Sequence, residues 1–157
     1  MAKAKQDSDE PAISKLSSKA DESFIATGIA EIDELIGGIP RGRILELWGQ
    51  EGVGKTYTVS RILASASKDH KILFIDSEFA LNRQRVEALG ADTKNIDFIQ
   101  DARLERVAEL MIDSVGKYDL IILDSLAQLT PTTVADATVG ENAIGLFARQ
   151  VKHFVVK

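Results

Sequence analysis

Eight consecutive residues, Gly49-Gln50-Glu51-Gly52-Val53-Gly54-Lys55-Thr56, restrict the folds open to this chain more than any other stretch of it. They spell G-x-x-x-x-G-K-[ST], with glycines where backbone N–H groups must close around an anion and side chains must stay out of the way. The apolar run Ile44-Leu45-Glu46-Leu47-Trp48 comes just before and reads as a strand, with Trp48 as a core residue. Val59, Ile62, Leu63 and Ala66 follow at helical spacing on one face. The same eight-residue pattern also arises in ordinary glycine-containing loops. The order of strand, loop and helix separates the two readings, because only that order points the loop amides and a helix N-terminus at one ligand. The expected ligand is a nucleoside triphosphate with magnesium. Gly49, Gln50, Glu51, Gly52, Val53 and Gly54 form the cradle, Lys55 supplies a point charge for the terminal phosphates, and Thr56 supplies a hydroxyl for the metal.

The rest of the chain alternates strand and helix signals. Thr27 to Gly38 reads as a short capped helix, with Ile32, Leu35 and Ile36 on one side and glycine at its stop. Ile72-Leu73-Phe74-Ile75 is short, rich in branched residues and bounded by charge, as suits a strand buried on both faces. A helix from about Arg83 to Leu89, a strand from Ile96 to Ile99, a helix marked by Leu104, Val107, Leu110, Met111 and Val115, and a strand Leu120-Ile121-Ile122-Leu123 follow in turn. This order implies parallel pairing through crossovers, so the expected class is α/β, a three-layer sandwich with a mostly parallel sheet. Residues 1–22 mix lysines, acids and serines with little apolar period and read as a flexible arm; residues 23–157 read as one core. Beyond Pro131, residues 132–140 lack an apolar period and read as a mobile loop, and Phe147, Val151, Phe154 and Val155 return to helical spacing.

Composition narrows the function classes. Without cysteine, disulfide frameworks, thiolate zinc sites and thiol catalysis are excluded. No apolar run approaches the roughly 20 residues that span a bilayer, and no signal-peptide core opens the chain, so a cytoplasmic protein is expected. A net charge of −5 argues against nucleic-acid binding through a globally basic surface, although Arg149, Lys152, His153 and Lys157 form a basic patch that is either a local contact or a solvated helix face.

Acids end two of the strands. Asp124 closes the strand Leu120 to Leu123, where it is suited to holding magnesium through a water, or to capping a helix. Asp76-Ser77-Glu78 closes another, at the edge where open parallel sheets bind ligands. Glu78 reaches further past the strand end than Asp76, so it is the candidate to orient and deprotonate an attacking water; the alternative is a solvated acid. His70 and His153 are isolated from acid clusters and read as surface residues.

On these segments the chain resembles the RecA recombinase family of bacterial and phage type. Thr27-Gly28, Ile32-Asp33, Gly37-Gly38 and Pro40-Arg41-Gly42-Arg43-Ile44 are similar to the approach to that family's phosphate loop. Phe74-Ile75-Asp76-Ser77-Glu78-Phe79-Ala80-Leu81 resembles the strand with its catalytic glutamate, here Glu78. Leu123-Asp124-Ser125-Leu126-Ala127-Gln128-Leu129-Thr130-Pro131 resembles its second nucleotide motif, and Gly145-Leu146-Phe147-Ala148-Arg149 the helix after its first DNA loop. The resemblance implies a P-loop ATPase core that uses ATP and Mg2+, with Glu78 and Lys55 catalytic and Thr56 and Asp124 at the metal. It implies filaments on single-stranded DNA that pair it with homologous duplex. Residues 132–142 would then form the first DNA loop, with Thr132, Thr133, Gly140 and Asn142 in it and Arg149 near the DNA backbone. Glu51 matches a position near the nucleotide site between subunits.

The chain departs from the family at Asn82 and Arg85, where members often place an aspartate and a tyrosine around adenine. It also stops short of the family's fifth core strand and second DNA loop. The expectation is therefore a partial core that leaves the run Ile44 to Trp48 as an exposed apolar edge. That core would be a DNA-dependent ATPase and recombinase, with a second chain that supplies the missing half as a candidate partner. The competing reading is a non-catalytic fragment that regulates or complements a full-length partner.

Overall fold

The computed structural model describes residues 24–131. Two short strands, β1 (Phe24–Ile25) and β2 (Ile39–Pro40), flank helix α1 (Ala30–Ile36). Then come α2 (Lys55–Ala66), β3 (Ile72–Asp76), α3 (Arg83–Ala88), β4 (Ile96–Gln100), α4 (Leu104–Ser114) and β5 (Leu120–Asp124). β1 and β2 pair antiparallel, and β4, β3 and β5 form a parallel sheet in that order.

The position of β3 explains its composition. It lies between β4 and β5, helices cover both its faces, and all five of its residues are buried. Alternation along the strand sends Ile72 and Phe74 to one side, against Ile62, Leu63 and Ala66 of α2 and Val86 of α3. Leu73 and Ile75 face the other side, against Leu104 and Val107 of α4 and Leu129. Each large apolar side chain removed from water there contributes about 1.5 to 3 kcal/mol, so three layers are the arrangement this run favours. The register aligns the strand ends: Asp76 lies opposite both Gln100 and Asp124, and the acids of two strands reach one edge together.

Helix α1 lacks a side-chain N-cap at Ile29 and buries none of its residues. Leu35 and Ile36 of its expected apolar side stay wet, Leu35 at 83% exposure, while Ile32 is half-buried. The segment before it is tied down instead by Asp33, whose carboxylate accepts from Thr27 N (2.9 Å), Thr27 Oγ1 (2.7 Å) and Gly28 N (3.1 Å).

Residues 44–48 depart from expectation. They form no strand, and Trp48 is not core: it is 83% exposed and Ile44 87%. The physical reason is pairing. A β-run gains its structure from a ladder, and among the described residues β5 pairs only with β3. The expected helix after Phe147 and the loop at residues 132–140 lie outside the described residues.

Candidate functional site

The phosphate-loop segment turns directly into α2. Gly54 stands at the helix N-cap with φ 95° and Gly52 in the preceding turn with φ 79°, a backbone region that disfavours residues with a Cβ. A Cβ on either would meet nothing within 4 Å, so the requirement for glycine is conformational and the space over the loop is open. Lys55 Nζ folds back to donate to the carbonyls of Gly49 (2.9 Å) and Gln50 (3.0 Å), wrapping the loop around its own ammonium. Glu51 and Val53 are exposed on the loop. Thr58 N donates to Gly54 O, the first bond of a 12-residue helix whose first turn carries no acid, so its positive end is not neutralised locally.

The strand tips bring the acids to the same place. The Thr56 side chain hydrogen-bonds Asp124, and the charges of Glu78, Asp76 and Lys55 all act on that carboxyl. Burial pushes the Asp124 carboxyl above the usual carboxylate range. The Thr56 bond and Lys55 pull the other way, while Glu78 and Asp76 add to the rise. The raised value reflects an acid held out of water beside other acids, with the Thr56 hydroxyl as its polar neighbour.

Beyond the last paired residues, the two strand tips are stapled together. Ser77 N and Glu78 N both donate to Asp124 O, at 2.9 and 3.3 Å. Ser77 Oγ donates to Ser125 O and Ser125 Oγ to Glu78 Oε1, each at 2.6 Å. Asp76 turns into the loop after β3, where it accepts from Ala80 N, Leu81 N and Gln100 Nε2. Asp76 thus builds the loop that carries Glu78, and Glu78 itself stays exposed. Neither serine contact is legible in the sequence, because hydrogen bonds between residues 47 and 48 apart leave no local signal.

A family model described as RecA N-terminal domain matches residues 2–157, which is nearly the whole chain. The chain belongs to the RecA family. Among curated relatives, Protein RecA of Helicobacter pylori is 38% identical over 138 residues, covering 85% of this chain and 40% of that protein. Protein RecA of Clostridioides difficile is 42% identical over 131 residues, 80% of this chain and 37% of that protein. That of Corynebacterium aurimucosum is 38% identical over 146 residues, 91% and 37% respectively. The chain spans about two fifths of the length of these relatives.

Within this RecA-family frame, Asn82 caps α3 by accepting from Arg85 N at 3.0 Å, which accounts for the asparagine without an adenine. His70 Nδ1 lies 3.2 Å from the Arg41 guanidinium, which also bridges Asp119, a structural surface role. Thr132, Thr133, Gly140, Asn142, Arg149 and His153 lie outside the described residues. Among the described residues no group of three or more His, Cys, Asp or Glu could hold a metal, and no helix is long and apolar enough to cross a membrane.

Proposed function

We propose that this chain carries the ATP-binding and hydrolytic part of a RecA-type recombinase. In this reading it assembles on single-stranded DNA as a filament, pairs the strand with homologous duplex, and works in the cytoplasm. The observation that carries the reading is the meeting of Thr56 with Asp124 directly beside Lys55 and Glu78, at the N-terminus of α2. The residues suit ATP with Mg2+. A threonine hydroxyl and a carboxylate are the hard oxygen donors that ion takes, and few protein ligands suffice when phosphates and waters supply the rest. Bound there, the ion would neutralise charge on the phosphates.

The loop amides of residues 49–54 bind phosphate oxygens. The Lys55 ammonium exchanges its two carbonyl partners for the stronger charge-assisted bonds of a phosphate. Glu78, fixed at the tip of β3, orients an attacking water and accepts its proton. DNA contact falls to residues 132–142, including Thr132, Thr133, Gly140 and Asn142, and to Arg149, through salt-sensitive phosphate contacts that are largely blind to sequence.

Glu78→Gln tests the core of the proposal. It should bind nucleotide with unchanged affinity and hydrolyse it about a hundredfold more slowly or worse, measured as ATP turnover with single-stranded DNA. Hydrolysis at the wild-type rate would remove Glu78 from the mechanism.

A further inference from the structure

We propose that Ser125 is the positioning residue for Glu78, holding the carboxylate of the general base at the tip of β5; this rests on the reading of Glu78 as the base. Glu78 is exposed, and a glutamate in solvent samples many rotamers, whereas a general base must sit within about 3 Å of the proton it takes. The Ser125 hydroxyl has a single proton to donate, and it goes to Glu78 Oε1 at 2.6 Å. That bond holds the carboxylate in place while Oε2 keeps both of its lone pairs for the proton of a water.

The donor is held firmly. Ser125 O accepts from Ser77 Oγ at 2.6 Å and from Gln128 N at 3.3 Å, the latter closing the 3₁₀ turn Leu126–Gln128. The next residue, Leu129, is anchored in the core at 3% exposure, and Thr130 N donates to Ala102 O at 2.7 Å. A base set by this device is tied to the chain that leaves β5 toward Pro131. A shift of that segment would therefore move Glu78 without touching the phosphate loop.

The test compares Ser125→Ala with Ser125→Thr in the full chain. The backbone at Ser125 is extended (φ −130°, ψ 161°), so threonine fits and keeps the hydroxyl. Three quantities are read: ATP turnover with single-stranded DNA, the Kd of a fluorescent ATP analogue, and the 13C resonance of the Glu78 carboxylate at neutral pH, assigned with Glu78→Gln. Ser125→Ala should lower kcat about tenfold, leave Kd within about twofold and move the Glu78 resonance. Ser125→Thr should restore both kcat and the resonance. An unmoved resonance in Ser125→Ala, or a kcat equal to wild type while Glu78→Gln is slow, would overturn the positioning role and leave the base assignment standing. Normal hydrolysis by Glu78→Gln would instead reject the base assignment, and the positioning role of Ser125 with it.

Discussion

At the scale of single residues, the site shows polar groups held against their solution preferences. Asp124 carries the clearest tension. Its carboxyl is raised by burial first and by neighbouring acids next, so its ionised form weighs against the fold. A raised value gives stability that is complete below the unfolded value near 3.8 and lost as pH climbs through the folded one, so at neutral pH the charge is a burden. Asp124→Asn should therefore raise the thermal midpoint of the ligand-free chain at pH 7 and weaken magnesium-dependent nucleotide binding about tenfold. Calorimetry and a nucleotide titration read the two arms. Lys55→Ala works on the other side of the same cradle. Under the proposed function it removes the charge that meets the phosphates, and it should weaken nucleotide binding by about a hundredfold in the same titration. Gly28 is a purely steric case: at φ 71° a Cβ would lie 2.5 Å from Ser65 Cβ. Gly28→Ala should cost about 2 to 3 kcal/mol in denaturant unfolding.

At the scale of elements, the junction between β4 and α4 depends on Asp101. Arg103 hydrogen-bonds its side chain at 2.9 and 2.6 Å, and Arg106 adds a contact at 3.2 Å. The Arg103 bonds hold the carboxyl down at about 2; burial opposes them, and the two guanidinium charges help. A lowered value gives stability that is present above the unfolded value of 3.8 and lost as pH falls toward 2. Both arginines are more than half exposed, so solvent screening keeps the effect modest. Acid unfolding followed by circular dichroism should be shallower between about pH 4 and 2 for Asp101→Asn than for wild type. Sequence periodicity located α2, α3, α4 and the strands β3 to β5 because each has one face or both to bury, and burial writes its period into the residues. The run Ile44 to Trp48 carried the same apolar signal without the outcome. Whether an apolar run becomes a strand depends on a hydrogen-bonding neighbour, and composition does not record one.

At the scale of the whole molecule, that run is an exposed apolar stretch of chain between two residues that reach the ends of β5. Arg41 bonds Asp119 where β5 begins, and Thr56 meets Asp124 where it ends. Ile44 and Trp48 stay wet between these anchors. Trp48 is the chain's one tryptophan, so its fluorescence reports this surface alone. The emission should be that of a solvated indole, readily quenched by iodide in dilute solution, and should move to the blue as concentration rises and copies associate. Trp48→Ser with Leu47→Ser should abolish the concentration dependence in analytical ultracentrifugation. The glycine-rich loop ending in Lys55-Thr56, the α/β order and the acids at the strand ends are legible in the residues alone, because each is a local pattern of a few adjacent residues. Only the tertiary structure decided that Thr56 meets Asp124, that Ser125 holds Glu78, that Asp76 builds a loop and that Trp48 lies in water. Those are relations across the sheet, fixed by register and pairing, and chain order does not encode them residue by residue.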